Sequence, residues 1–133
     1  MNVVFLDTVG LVALWDVADQ WHGVAETAYA LVVADRSRFV TTRFVLLECG
    51  NTAARRPYRS RVSVLREKLE LRDELIAPTE EDLKVAWEAY DRGEAAEAGI
   101  VDHVSFAVMR RLGITQAFTN DRHFQAAGFE TLF

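Results

Sequence analysis

The segment from Val3 to Leu6, followed by Asp7 and Thr8, constrains the fold more than any other part of the sequence. Four apolar residues stand in a row without polar alternation. Such a run is typical of a strand buried on both faces, as in a parallel sheet. Asp7 then follows the carboxyl end of the strand, where open α/β sheets keep their functional sites. Asp7 also suits the N-cap of a following helix, so both roles remain open at this point.

Apolar residues at helical spacing alternate along the chain with short apolar runs. The pattern predicts helices over 8–15, 21–35, 42–56, 58–72, 79–92 and 101–112, a helical turn over 121–127, and further strands over 39–41, 75–77, 116–119 and 129–133. The segment 93–99 is predicted to be a loop. Strands that alternate with helices predict an α/β fold with a parallel sheet covered on both faces.

Length, charge and cysteine content limit the class of protein. The 133 residues suffice for one domain with one core, so a single domain over 1–133 is predicted. The net charge of -5 argues against nucleic-acid binding by bulk charge alone. One cysteine, Cys49, fits a reducing compartment. No signal peptide and no membrane span are expected, and the predicted location is the cytoplasm.

Four carboxylates occupy informative positions in this pattern. Asp7 and Asp121 follow predicted strands, Asp102 lies at the start of a helix, and Glu48 interrupts an apolar helical run. Each acid alone suits a helix cap or a solvent-exposed face. Together they are expected at one edge of the sheet, where unpaired charges about 5 Å apart repel by roughly 3 kcal/mol at an effective dielectric near 20.

A divalent cation would remove this repulsion. Carboxylate oxygens select Mg²⁺ or Mn²⁺, and the sequence offers no set of histidines and cysteines for zinc. A metal held by carboxylates above a sheet suits phosphodiester hydrolysis, because it activates the attacking water and stabilises the leaving oxygen.

Several stretches resemble the PIN-domain ribonucleases of the VapC toxin type. They are Val4–Thr8, Glu48, Val101–Ile114 and Ala117–Phe124, and together they extend over nearly the whole chain. The resemblance implies a PIN-like three-layer α/β/α sandwich with a central parallel sheet. It also implies a Mg²⁺- or Mn²⁺-dependent endoribonuclease, the toxin of a type II toxin–antitoxin pair. The implied catalytic and metal-binding acids are Asp7, Glu48, Asp102 and Asp121.

The same resemblance implies partners for the chain. These are an RNA substrate, a cognate antitoxin protein and a second copy of the chain, with DNA reached only through the antitoxin and no membrane. An excess of apolar and aromatic residues in the first four helices, including Trp15, Trp21, Phe44 and Tyr58, supports a homodimer.

Other residues could support the site or bind substrate. Thr8, Ser105, Thr119 and Asn51 lie near the acids in sequence or on the same helix face, although capping, a bond to a backbone carbonyl or a plain surface position explains them equally well. Arg55, Arg56 and Arg122 are candidates for phosphate contacts, against the alternative of a solvated face. His103 and His123 flank two of the acids and are expected to be exposed.

Four other functional classes are compatible with parts of the sequence. An aspartate-nucleophile phosphatase needs a second Asp where Val9 stands, and a receiver domain needs a lysine beyond Lys84, the last in the chain. A thiol nucleophile at Cys49 lacks a nearby histidine in the sequence, so a buried apolar role is expected. The remaining alternative is a PIN-like module that binds RNA or a partner without cutting.

Overall fold

Five short strands form one fully parallel sheet in the computed structural model, which describes residues 2–133. The strands are β1 (Val3–Leu6), β2 (Arg38–Thr42), β3 (Leu75–Ile76), β4 (Gln116–Phe118) and β5 (Glu130–Thr131). Their order across the sheet is β3-β2-β1-β4-β5, and each neighbouring pair is parallel. The central strand is therefore β1, and its last three residues are buried, as the apolar run predicts.

Helices connect the strands and cover the sheet. They are α1 (Thr8–Trp15), α2 (His22–Ala34), α3 (Arg43–Ala53), α4 (Arg59–Leu71), α5 (Glu80–Asp91), α6 (Glu94–Glu97), α7 (Ile100–Leu112) and α8 (Arg122–Ala126). Helix α1 contacts both α2 and α3, α5 contacts α7, and a contact between α3 and α7 joins the two groups. The predicted boundaries agree with these to within a few residues.

The segment predicted to be a loop over 93–99 contains the single turn α6. Ala95 and Ala96 have φ of 52° and 56°, and Glu97 has φ of 59°, so the turn is left-handed. Residues with a Cβ rarely adopt this conformation, which is why no sequence pattern predicts it.

The helix boundaries follow from capping groups in the sequence. The hydroxyl of Thr42 accepts a hydrogen bond from the backbone N–H of Val45, 3.3 Å away, at the start of α3. Thr79 and Asp82 form a complete capping box at the start of α5. Gly113, with φ of 70°, ends α7 as a left-handed C-cap.

An ion pair ties α5 to α7. The guanidinium of Arg111 donates to the carboxylate of Asp82, with distances of 2.8 Å from Nη2 and 3.0 Å from Nε. Asp82 is buried, so this bidentate contact is partly shielded from water. It joins the last turn of α7, the helix that carries Asp102, to the first turn of α5.

Two of the four aromatic residues expected on a surface in fact pack inward. Tyr58 is buried, and its ring lies 6.3 Å from that of Trp15, which packs against the core. Trp21 and Phe44 are exposed, at 45% and 36%. The apolar surface available to a partner is therefore smaller than the sequence suggests.

Residues 2–133 contain no helix with both the length and the apolar character needed to cross a bilayer.

Helix α1 lies directly against β4, and Gly10 makes this approach possible. A Cβ placed on Gly10 would lie 1.9 Å from the carbonyl oxygen of Phe118, which is backbone and cannot move aside alone. We expect Gly10→Ala to destabilise the fold by at least about 2 kcal/mol, as overpacked cores do. Urea unfolding followed by circular dichroism measures this.

Gly23→Ala is the matched control for this prediction. Its Cβ would meet nothing within 4 Å, in helix α2. It should leave the free energy of unfolding unchanged or raise it by up to about 1 kcal/mol, because alanine favours helix. Equal stability of the two variants would contradict the close contact at Gly10.

Candidate active site

Asp7 lies at the centre of the candidate site, at the carboxyl end of the central strand β1. Its side chain is 1% exposed. The carboxylate oxygen Oδ2 accepts a hydrogen bond from the hydroxyl of Thr119 at 2.9 Å and a long one from the backbone N–H of Val9 at 3.4 Å. The two roles left open by the sequence therefore coincide, because Asp7 caps α1 and also faces the other acids.

The pairing of β1 with β4 brings Thr119 beside Asp7. Leu6 stands opposite Phe118 in this parallel pair, so the residues that follow them leave the sheet side by side. Thr119 is buried, and its hydroxyl oxygen accepts a hydrogen bond from the backbone N–H of Asp121 at 3.1 Å. One hydroxyl group therefore links the ends of the two strands and sets the position of Asp121.

Glu48 reaches the same place from α3. The hydroxyl of Thr8, the residue next to Asp7, donates a hydrogen bond to Oε1 of Glu48. Glu48 is half-buried in a helix whose neighbouring residues Val45 and Cys49 belong to the core. Thr8 and Thr119 thus each hold one of the predicted acids.

Asp102 completes the group from the first turn of α7, where it is half-buried. The pKa of Asp102 is raised to about 7, mainly by burial and also by the charges of Asp121 and Glu48, against an opposing effect of His123. Burial likewise raises the pKa of Asp7 to about 8, with the charges of Asp102, Asp121 and Glu48 adding to the increase, against the hydrogen bond from Thr119. The structure therefore brings the four predicted carboxylates within electrostatic reach of one another, and the space that they surround is called the cleft below.

A histidine that the sequence analysis assigned to the surface also belongs to this cleft. The ring atom Nδ1 of His123 lies 2.8 Å from Oδ1 of Asp121, which also accepts the backbone N–H of His123 at 2.9 Å. Asp102, Asp121 and His123 each offer one ligand atom, and these atoms lie within 4.8 Å of one another. The carboxylates and this imidazole could therefore hold a divalent metal ion.

The expectation that both histidines are exposed is wrong. His123 is half-buried, and His103 is only 2% exposed. The rings of Tyr90 and Phe106 meet the His103 ring edge-on, and its Nε2 has no hydrogen-bond partner in residues 2–133. The sequence does contain a signal for His123, because an aspartate commonly bonds the N–H two residues later in an Asx turn.

In residues 2–133, no hydrogen bond joins the other candidate residues to the four acids. The hydroxyl of Ser105 donates to the carbonyl of Val101 at 3.1 Å, which is the backbone role considered for it. Asn51 is exposed and lines a groove between α3 and α4. The side chains of Arg55, Arg56 and Arg122 are exposed, and Arg122 follows Asp121 at the start of α8.

Cys49 is not suited to act as a nucleophile. It is buried and free of disulfides. The pKa of its thiol is raised to about 12, mainly by burial and also by the charges of Asp7 and Glu48, against a hydrogen bond with Thr8. The thiol stays protonated at neutral pH and serves as a small core residue.

Comparison with known proteins agrees with this fold. Residues 4–130 match the PIN domain family. The chain therefore belongs to the PIN-domain family.

Its relatives include a named toxin. The chain is 34% identical over 132 residues to the 23S rRNA-specific endonuclease VapC20 of Mycobacterium tuberculosis, in the CDC 1551 and H37Rv strains, and the match covers 96% of this chain and 95% of the relative. It is also similar to the crystal structure of Mycobacterium tuberculosis VapC20, described as a sarcin–ricin loop cleaving toxin, with a TM-score of 0.76, 31% identity and 95% coverage of both chains. The predicted family, fold class and enzyme class, an endoribonuclease of the VapC toxin type, are confirmed.

The raised pKa of Asp7 predicts a pH dependence of stability in the absence of metal. An aspartate titrates near 3.8 when unfolded and at about 8 here, so the folded state binds the proton more tightly between these values. The free energy of unfolding should therefore fall as the pH rises from about 4 to 8. Thermal melting in EDTA at pH 5 and pH 8 measures this effect.

Asp7→Asn tests whether Asp7 causes the effect. The variant keeps the shape of the side chain and removes the charge, so its melting temperature in EDTA should exceed that of the parent by more at pH 8 than at pH 5. A difference between variant and parent that does not change with pH would contradict the assignment.

Proposed function

We propose that the chain cleaves RNA with Mg²⁺ or Mn²⁺ held by Asp7, Glu48, Asp102 and Asp121. The observation that carries this proposal is the burial of Asp7 among three other acids, which raises its pKa to about 8. Enzymes arrange such clusters of like charges where a cation or a proton is needed for function. The ligand set is dominated by carboxylate oxygens, which suits Mg²⁺ and Mn²⁺ better than softer metals.

The bound metal would supply an activated water and stabilise charge on the leaving oxygen. The protein would hold the carboxylate ligands in position. The Thr119 hydroxyl donates a hydrogen bond to Oδ2 of Asp7, and the Thr8 hydroxyl donates one to Oε1 of Glu48. Each carboxylate therefore keeps a second oxygen for a ligand. Acids held in this way need no rearrangement when the metal and the phosphate arrive.

We propose 23S ribosomal RNA as the first substrate to test, because the relatives with 34% identity are named for its cleavage. Arg122 is exposed beside Asp121 and could contact a phosphate at the site, and Arg55 and Arg56 are exposed beyond the end of α3, where they could contact other phosphates of the RNA. Guanidinium groups bind phosphate oxygens in a bidentate manner. The same assignment supports a cytoplasmic location, where ribosomal RNA is found.

A PIN-like module that binds RNA without cutting is the alternative. All four acids are retained and brought together, which a binding role does not need. Buried like charges are expensive to maintain, so their presence favours catalysis.

For partners, we propose an antitoxin segment and a second copy of the chain. A groove of about 420 Å³ runs between α3 and α4, and its lining is mainly apolar, with Leu46, Leu47 and Val62 among its residues. Leu47 is 65% exposed and Leu71, on α4, is 91% exposed. Side chains of this kind are covered in a stable complex.

Asp7→Asn tests catalysis directly. Loss of one metal ligand should reduce Mg²⁺-dependent cleavage of RNA at least about a hundredfold, since even residues that only orient a ligand contribute 10- to 100-fold. The measurement is cleavage of purified 23S rRNA and of a single-stranded RNA, with Mg²⁺ or Mn²⁺ and with EDTA.

Asp19→Asn is the matched control for this assay. Asp19 also caps a turn, by accepting the N–H of Trp21 at 2.8 Å, but belongs to the segment between α1 and α2. Its activity should equal that of the parent. If Asp7→Asn cut RNA as fast as the parent, metal-dependent hydrolysis by these acids would be wrong and the binding module would be favoured.

The homodimer is tested by mass. Light scattering coupled to gel filtration at micromolar concentration should give twice the 15.0 kDa of the chain. A monomeric mass would count against the second copy as a partner and leave the exposed leucines to the antitoxin.

A further inference from the structure

We propose that His123 is a positioning residue of the metal site, which holds the carboxylate of Asp121 in the orientation that binds the cation. This inference rests on the proposed function and adds a residue to it. His123 lies outside the four acids, and the sequence alone places it on the surface.

Asp121 would otherwise be the least supported of the acids at the strand ends. It lies beyond β4, and α8, which follows, has only five residues. The Thr119 hydroxyl fixes its backbone N–H but does not contact its carboxylate. A freely rotating carboxylate would lose entropy on binding the metal, which weakens the binding.

His123 removes this freedom through two hydrogen bonds to the same oxygen. Oδ1 of Asp121 accepts the backbone N–H of His123 at 2.9 Å and contacts its ring Nδ1 at 2.8 Å. A carboxylate oxygen can only accept, so Nδ1 carries the hydrogen in this pair. Both donors bond to Oδ1, and no hydrogen bond from residues 2–133 reaches Oδ2 of Asp121, so this oxygen remains available to a cation.

The surroundings of the ring agree with this role. A ligand atom of His123 lies within 4.8 Å of ligand atoms of Asp102 and Asp121, so the imidazole stands at the edge of the same cleft. The ring is half-buried, which limits its own motion. Carboxylates and imidazoles that orient metal ligands in this way contribute roughly 10- to 100-fold to metal affinity.

Two substitutions separate positioning from packing. His123→Leu removes the ring donor and keeps an apolar side chain of similar bulk. His123→Asn keeps an N–H donor close to the position of Nδ1. The backbone N–H of residue 123 remains in both variants, so any difference between them reports on the side-chain hydrogen bond.

Mn²⁺ binding, measured by calorimetry and by the EPR signal of free Mn²⁺, is the readout, together with melting in EDTA as a check of folding. We expect His123→Leu to bind Mn²⁺ roughly tenfold or more weakly than the parent and His123→Asn to recover most of the affinity. Gln125→Leu, on the same short helix with its side chain bonded to Thr131, is the control and should bind as the parent does.

The possible results separate the two proposals. Parent-like Mn²⁺ affinity of His123→Leu would overturn the role of His123 while leaving the four-acid site intact. Affinity of His123→Asn as low as that of His123→Leu would also overturn it, because a hydrogen-bond donor would then not be what matters. Absence of Mn²⁺ binding by the parent would refute both the metal site and this inference.

Discussion

Electrostatic repulsion among carboxylates at the end of β1 is the constraint on which the rest of the structure depends. Asp7 is almost fully shielded from water, and the charges of three other acids act on it. A pair of such charges about 5 Å apart repels by roughly 3 kcal/mol at an effective dielectric near 20. Holding the acids together against this repulsion requires a scaffold that does not relax when the acids approach one another.

The parallel sheet supplies that scaffold because each acid comes from a different element. Asp7 follows the central strand, Asp121 follows the adjacent β4, and Glu48 and Asp102 come from two helices that contact each other. Separating any pair would require moving a packed helix or breaking the register of β1 and β4. The close approach of α1 to β4 at Gly10 makes such movement costly, since the interface has no spare volume.

Local patterns in the sequence allowed much of this architecture to be predicted. The apolar run of β1, the cap at Thr79 and the glycine at 113 each depend on residues close in the chain, and the structure keeps all of them. Burial of single side chains depends instead on distant neighbours. Trp15, the last residue of α1, packs inward, whereas Trp21, the residue before α2, is exposed.

The histidines show the same limit at the site itself. Nothing next to His103 in sequence indicates that Tyr90 from α5 will cover it. The left-handed turn at Ala95 and Ala96 is equally unpredictable, because alanine has no preference for positive φ and only the connection between α5 and α7 imposes it. The ordered set of acids could be recognised because chemistry, and not packing, determines those residue types.

Three of the four acids accept a hydrogen bond from a neighbouring side chain, and the sequence does not reveal these contacts. Glu48, Asp7 and Asp121 each receive a side-chain donor, from Thr8, Thr119 and His123 in turn. No side chain in residues 2–133 donates a hydrogen bond to Asp102, and the pKa of Asp102 is raised to about 7. Three acids are therefore held by the protein, whereas Asp102 is held by its helix alone. Burial and the charges of Asp121 and Glu48 therefore act on Asp102 without an opposing side-chain hydrogen bond, and only the charge of His123 lowers its pKa.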